Sequence, residues 1–303
     1  MAVVDVGSNS TRLFLCSGVG RDGPEGERET RVTGLRRGAG PDGTLAADAL
    51  HRLDVCLAAF ARRVAAFAPD AVLAIGTSAV REAPNREAVA RIVRQRLGTV
   101  LRVVGGEEEA GLAFAGARLA APDAGRVLVV DVGGGSTELV QGGPAGPERA
   151  VSLPLGVVRS TEAHLRSDPP CEDELRALRA EAEALVGPPL RALPPSEAVI
   201  GVAGTATTLA AIALGGYDPR RVHRFRLSRE EIEATTARLA AMPLAERRAV
   251  PGLHPDRAPS IVAGGLILAA VLRAAKADSV LVSERDLLDG AALRAGVDAH
   301  TLD

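Results

Sequence analysis

One twelve-residue pattern occurs twice, and it constrains the fold more than any other feature of the chain. Residues 3–14 read Val3-Val4-Asp5-Val6-Gly7-Ser8-Asn9-Ser10-Thr11-Arg12-Leu13-Phe14, and residues 129–140 read Val129-Val130-Asp131-Val132-Gly133-Gly134-Gly135-Ser136-Thr137-Glu138-Leu139-Val140. Eight of the twelve aligned positions are identical. Each copy has an apolar run, an acid, a turn with glycine and hydroxyls, and an apolar return. Each reads as a buried β-strand, a tight loop and the second arm of a hairpin. Two copies of one such unit indicate a duplicated domain and not a solenoid.

The loops carry the chemistry. Glycine permits positive φ and lets a backbone come close to a ligand. The N–H groups of such a loop, with nearby hydroxyls, can hold phosphate oxygens. Candidate phosphate-binding residues are Ser8, Asn9 and Ser10 in the first loop, and Gly133, Gly134, Gly135, Ser136 and Thr137 in the second. Asp131 and Glu138 are placed to recruit a hard cation that offsets phosphate charge. A glycine-rich hairpin with no ligand would explain one copy equally well, but it then has to explain the same loop twice.

Along the chain, strand and helix patterns alternate. Residues 2–7 and Thr11–Ser17 form the first hairpin, residues 18–30 read as a turn, and Arg31–Thr33 as a possible third strand. Residues 45–67 show an apolar face at three- and four-residue steps, with Thr44 as its expected N-cap. Ala71–Ile75 is a short strand leading into Gly76-Thr77-Ser78 and Arg81, a third candidate anion-binding turn. Asn85 is the expected cap of a helix over 86–97. Val100–Val104 is a strand, and Gly105-Gly106-Glu107-Glu108-Glu109-Ala110 opens the next helix. Acids at a helix start are favourable against the dipole, whereas a carboxylate facing a substrate is a candidate general base. The residues alone do not choose among the three glutamates. The basic doublet Arg36-Arg37 is either a solvated surface or part of the site.

Residues 121–126 read as the domain boundary, dividing the chain into 1–121 and 122–303. The second half repeats the order: two strands after the loop, helices at 157 onward and 172–185, a strand at 198–203 ending in a second Gly-Thr turn, Gly204-Thr205, and an apolar helix over 258–275 whose Gly264-Gly265 allows close packing. The last strand is Asp278–Ser283 and the last helix Leu287–Ala295. The expected fold is α/β, with mixed sheets covered by helices and the ligand between the halves at the strand ends that carry the loops.

Composition sets the remaining bounds. The chain has 303 residues, 47% of them hydrophobic, enough for two domains with real cores. A net charge of −2 argues against general nucleic-acid binding. A polyanionic ligand therefore needs local arginines and a metal; Lys276 is the only lysine. Cys16, Cys56 and Cys171 lack metal-ligand spacing and read as buried thiols in a reducing cytosol. There is no membrane-length apolar run and the N-terminus enters a strand directly, so the expectation is a cytoplasmic protein that neither spans nor binds a membrane.

Four segments together resemble the exopolyphosphatase / guanosine pentaphosphate phosphohydrolase family, a branch of the sugar kinase, heat-shock chaperone and actin superfamily. They are Asp5 to Ser10, Asp131 to Glu138, Gly76 to Ala83 with Asn85, and Gly106 to Ala110. The resemblance implies two ribonuclease-H-like domains with a cleft between them, and a phosphoanhydride hydrolase that uses Mg²⁺ or another divalent cation. It implies Glu109 as catalytic base, Arg81 as phosphate-binding arginine, and Asp131 and Glu138 as metal-binding acids. It implies inorganic polyphosphate or guanosine pentaphosphate as substrate, and a homodimer. The length matches the short, two-domain members. Two departures stand out. The family's Arg-Leu-Gly falls near Gly34-Leu35-Arg36, and the arginine of its C-terminal Ser-Asp-x-Gly-x-Arg-Glu-Gly is replaced by Leu288.

The expected reaction is attack of water on the terminal phosphate, with Glu109 taking the proton and Arg81, loop N–H groups and Mg²⁺ spreading the charge. Other readings are a nucleotide-dependent kinase, for which Gly201 to Thr205 would be the adenosine-side loop, and a non-catalytic sensor of polyphosphate or the alarmone. Intact Glu109 speaks against the sensor, and no acceptor-site signature supports the kinase.

Overall fold

A computed structural model of the chain describes residues 1–20 and 23–300. The chain divides into two compact units, one made of residues 1–112 with the segment from Leu287 onward, the other of 113–286.

The first unit contains β1 (Ala2–Val6), β2 (Ser10–Gly20), β3 (Gly23–Val32), α1 (Ala47–Phe67), β4 (Val72–Gly76), α2 (Ser78–Glu82), α3 (Arg86–Leu97), β5 (Leu101–Val103) and the start of α4 (Gly106–Ala117). Its sheet has the order β3-β2-β1-β4-β5. β2 is antiparallel to both neighbours, and β1, β4 and β5 are parallel. This is the ribonuclease-H-like arrangement. β1 is central and every residue in it is buried, which is why it reads as a continuous apolar run. α1 lays Leu53, Leu57, Phe60 and Val64 on the core and stops at Ala68, which adopts a left-handed conformation.

Four local expectations differ. Cys16 and Cys56 are buried as expected, but Cys171 is exposed, because it stands just ahead of α6 (Glu172–Arg191) at that helix's N-cap. Residues 18–30 are mostly strand, because β2 and β3 continue as a paired ribbon on whose far strand Glu25 and Glu27 face solvent; Arg21 and Asp22 lie outside the described residues. Thr44 does not cap α1, since its hydroxyl donates to Asp42 Oδ2 (2.7 Å). Asn85 occupies the N-cap position of α3, but its amide clips Leu45 instead, accepting from the N–H and donating to the carbonyl at 3.0 Å each.

The second unit contains β6 (Val127–Val132), β7 (Thr137–Gly143), β8 (Gly146–Leu153), α5 (Val157–His164), α6 (Glu172–Arg191), β9 (Ala198–Val202), α7 (Ala203–Ala213), α8 (Pro219–Val222), β10 (Arg226–Ser228), α9 (Arg229–Ala240), α10 (Leu244–Arg247), α11 (Ile261–Ala274) and β11 (Ser279–Val282). Its sheet runs β10-β11-β9-β6-β7-β8. The β8-β7-β6-β9-β11 part repeats the order and directions of the first sheet, with β10 added at one edge. α11 is the core helix: residues 261–272 are all buried. A Cβ on Gly265 would lie 2.0 Å from Thr236 Oγ1 of α9, so glycine sets that close approach.

The division differs from the expected 1–121 and 122–303. It falls inside α4, between Leu112 and Ala113, and α12 (Leu287–His300) belongs to the first unit. Gly290 of α12 abuts Leu112, whose carbonyl oxygen would be 1.9 Å from a Cβ there. Asp289, fully buried, accepts two hydrogen bonds from Arg28 of β3 (2.9 and 2.6 Å). Among the described residues, no helix is long and apolar enough to cross a membrane.

Candidate active site

The two repeat loops have the same internal geometry. Gly7 N–H donates to Ser10 O (3.0 Å), and Gly133 N–H donates to Ser136 O (2.9 Å). A Cβ on Gly7 would lie 2.9 Å from that carbonyl, which leaves no room for a side chain, and a Cβ on Gly133 would lie 3.2 Å from it, a tight contact.

In each loop the carbonyl groups are tied from behind. Ser8 O accepts from Arg36 N–H (3.0 Å) and Asn9 O from Gly34 N–H (2.8 Å). Gly133 O and Gly134 O accept from Val157 N–H and Val158 N–H at 2.9 Å, and Gly135 O accepts from Arg159 Nε at 2.9 Å. The N–H groups of Ser8, Asn9, Gly134 and Gly135 donate to no acceptor among the described residues. Carbonyl oxygens repel an anion, and free N–H groups attract one. Holding the former away and leaving the latter available produces an anion-binding nest. Thr137 needs a correction at the level of its side chain. It is fully buried and its hydroxyl donates to Leu155 O, so it anchors the loop and is not presented to a phosphate.

The equivalent hairpin positions carry different charges. Asp5 and Arg12 are cross-strand partners, and Arg12 donates to Asp5 Oδ2 through Nε and Nη2 (2.9 and 2.7 Å). Asp131 and Glu138 are the corresponding partners in the second unit. Glu138 is 4% exposed, and its Oε1 accepts from Ser152 Oγ (2.9 Å). Two facing carboxylates on a rigid hairpin fit a hard divalent cation. Mg²⁺ is commonly held by one or two carboxylates, with water and substrate phosphates completing its shell. Among the described residues, no group of three or more His, Cys, Asp or Glu could form a metal cage. The two carboxylates suit a cation shared with substrate and not a closed structural site.

The three glutamates at the start of α4 are distinct in the structure. Glu107 is exposed. Glu108 pairs with Arg102 and Arg294. The Glu109 side chain is 12% exposed and accepts from Arg81 Nη1 (2.9 Å). Arg81 Nη1 also donates to Val104 O (2.9 Å), which fixes the guanidinium. Burial pushes the Glu109 carboxyl above its usual range; the Arg81 bond and charge oppose this, Asp5 adds to it, and Arg12 reduces it. Glu109, Arg81, Asp5 and Arg12 are thus one electrostatic group at the base of the first loop.

The two Gly-Thr turns are structural supports. Ser78 Oγ donates to Glu82 Oε1 (2.9 Å), and the short α2 serves to carry Arg81. Thr205 Oγ1 donates to Val132 O (2.9 Å), tying α7 to β6. The Arg36-Arg37 doublet, read from the sequence as either surface or part of the site, supplies the Arg36 N–H behind the first loop, whereas the supporting roles of Gly34, Gly156 and Arg159 were missed in the sequence. The glycine at the start of α5 was their one visible signal, since a Cβ on Gly156 would lie 2.4 Å from Gly135 C.

Comparison with known proteins gives the family. The Ppx/GppA phosphatase family matches residues 26–297. Exopolyphosphatase 2 of Mycobacterium tuberculosis is 35% identical over 97% of both chains. A crystal structure of an exopolyphosphatase-like protein superposes with a TM-score of 0.90 at 34% identity, covering 98% of this chain and 99% of the other. The Aquifex aeolicus Ppx/GppA family member superposes with a TM-score of 0.82 at 28% identity, covering 98% and 97%. The chain belongs to the Ppx/GppA phosphatase family and is a hydrolase.

Proposed function

We propose that the chain is an exopolyphosphatase that hydrolyses the terminal phosphoanhydride of inorganic polyphosphate and releases orthophosphate. The observation that carries this reading is the Arg81–Glu109 pair (2.9 Å), a largely buried carboxylate of raised proton affinity beside the first phosphate loop. The names of the relatives point to the same substrate.

In this mechanism the first loop, through the N–H groups of Ser8 and Asn9 with Ser10, and the second loop, through those of Gly134 and Gly135 with Ser136, are each a nest for non-bridging phosphate oxygens. Arg81 places a fork of donors on the reacting phosphate. Glu109 accepts a proton from water as the water oxygen bonds to phosphorus. The bridging P–O bond breaks, and its electron pair leaves with the shortened chain. A raised carboxylate pKa suits this step, because it makes the anion a stronger base. A divalent cation held by Asp131 and Glu138 would supply charge neutralisation to the phosphates.

The test is phosphate release with Mg²⁺ from short polyphosphate, long polyphosphate, guanosine pentaphosphate and ATP, with Glu109→Gln in parallel. Release from polyphosphate above the others, lost in the variant, is the expected result. Faster release from guanosine pentaphosphate would reassign the substrate. Polyphosphate binding with no release from any compound would replace the hydrolytic reading by a sensor.

A further inference from the structure

We infer that Arg37 is a specificity-determining residue, whose guanidinium binds oxygens of an internal, non-reacting phosphate of the substrate chain. The inference rests on the phosphate-loop reading above. The turn after β3 is built into the first loop, since Gly34 N–H holds Asn9 O (2.8 Å) and Arg36 N–H holds Ser8 O (3.0 Å). Arg37 N–H closes the turn on Gly34 O (3.0 Å).

The two arginines of this turn have different surroundings. Arg36 Nη1 pairs with Glu82 Oε2 (2.7 Å), so its charge is balanced. Arg37 is exposed and makes no ion pair or side-chain hydrogen bond among the described residues. Its side chain nevertheless lies folded against the turn. A Cβ on Gly34 would be 3.4 Å from Arg37 Cζ and Nε. Gly34 has φ +56, so the left-handed backbone and the missing Cβ together make room for the guanidinium. The charge therefore rests on the very residue whose N–H positions Asn9.

The other guanidiniums around this loop are engaged, Arg12 by Asp5 and Arg81 by Glu109. Arg37 has no carboxylate partner that a phosphate must displace. Each internal phosphate of a polyphosphate chain is anionic, and a planar fork of donors matches its oxygens. A contact beside Gly34, away from the reacting group, adds binding that grows with chain length and leaves the chemical step alone.

Equilibrium titration with tripolyphosphate and with long-chain polyphosphate, alongside KM and kcat, tests the inference on wild type, Arg37→Gln, Arg37→Lys and Arg62→Gln. The last removes the same charge from the exposed face of α1. For long chains, Arg37→Gln is expected to weaken binding and raise KM about tenfold, with kcat within about twofold. Tripolyphosphate should be far less affected. Arg37→Lys should recover part of the loss, because it keeps the charge but not the fork. The slope of log affinity against log salt should become shallower by about one. Arg62→Gln should match wild type. Equal losses for short and long chains, or an Arg37→Gln protein that matches Arg62→Gln, would overturn the assignment. If wild type binds polyphosphate without releasing phosphate, the hydrolase reading fails, while the binding comparison still decides Arg37. If wild type binds no polyphosphate, both fail.

Discussion

Three consecutive glutamates open α4, and their surroundings give each different chemistry. All three sit favourably near the positive end of the helix dipole, so residue type and position could not rank them. Their neighbours do: solvent for Glu107, Arg102 and Arg294 for Glu108, Arg81 and burial for Glu109. Glu109→Gln should lower kcat on the order of 10²–10⁴-fold and leave polyphosphate affinity near wild type. The raised pKa has a sign that can be followed. The basic carboxylate form is lost as pH falls, so the acid limb of kcat/KM should lie above the ordinary glutamate value of about 4.3. Arg81 holds that pKa down, so Arg81→Gln should move the limb to higher pH as well as weaken phosphate binding. Stability runs the other way. The folded state binds this proton more tightly than the unfolded chain. The contribution of Glu109 is therefore fully present below the unfolded pKa and is lost as pH rises through the folded pKa. At neutral pH, Glu109→Gln should melt at or above wild type, and the difference should vanish in acid. A variant less stable at neutral pH than wild type would mean that Arg81 outweighs burial.

The repeated strand–loop–strand element was legible, because its residues are adjacent in sequence and the same backbone needs recur in both copies. Gly7 and Gly133 close against Ser10 and Ser136 in the same way. The supports behind the loops were not legible. They come from residues 34–36 in one unit and 156–159 in the other, and they share no residue pattern. Backbone N–H groups do that work, and almost any side chain supplies one. Composition misled where β2 and β3 extend, since glycine and charge suit both a turn and a solvated ribbon. Gly156 tests the support. Gly156→Ala would place a methyl group 2.4 Å from Gly135 C and 2.5 Å from Gly134 O. Overpacking against backbone costs roughly 1–3 kcal/mol, and relief requires the second loop to move. KM should rise and the melting temperature should fall, whereas Val158→Ala, which keeps every backbone donor, should change KM little. Equal KM for wild type and Gly156→Ala would show that the loop tolerates displacement.

At the scale of the whole chain, the expected boundary groups the final helix with the second half, whereas its contacts group it with the first unit, because a linear boundary cannot show a segment returning to an earlier unit. Chain order made 122–303 look continuous, while α12 is held to the first unit by contacts far apart in sequence. The ion pair that holds it is asymmetric. Asp289 has no exposed side-chain surface, whereas Arg28 is 28% exposed and its guanidinium lies 4.0 Å from the centroid of the Phe14 ring. Arg28 can turn to water if its partner is removed, and it keeps the aromatic contact. Asp289 has no such route, and Arg28→Ala leaves a buried carboxylate without that counter-ion. Losing one partner of a buried pair costs on the order of 3–5 kcal/mol when the remaining charge stays buried. Arg28→Ala should cost more than Asp289→Asn, since the amide oxygen still accepts from Arg28. Thermal melts would show Arg28→Ala well below Asp289→Asn. Equal melting temperatures would mean that α12 is held by apolar packing around Leu287 and Leu288, which are 2% and 3% exposed, and not by the ion pair.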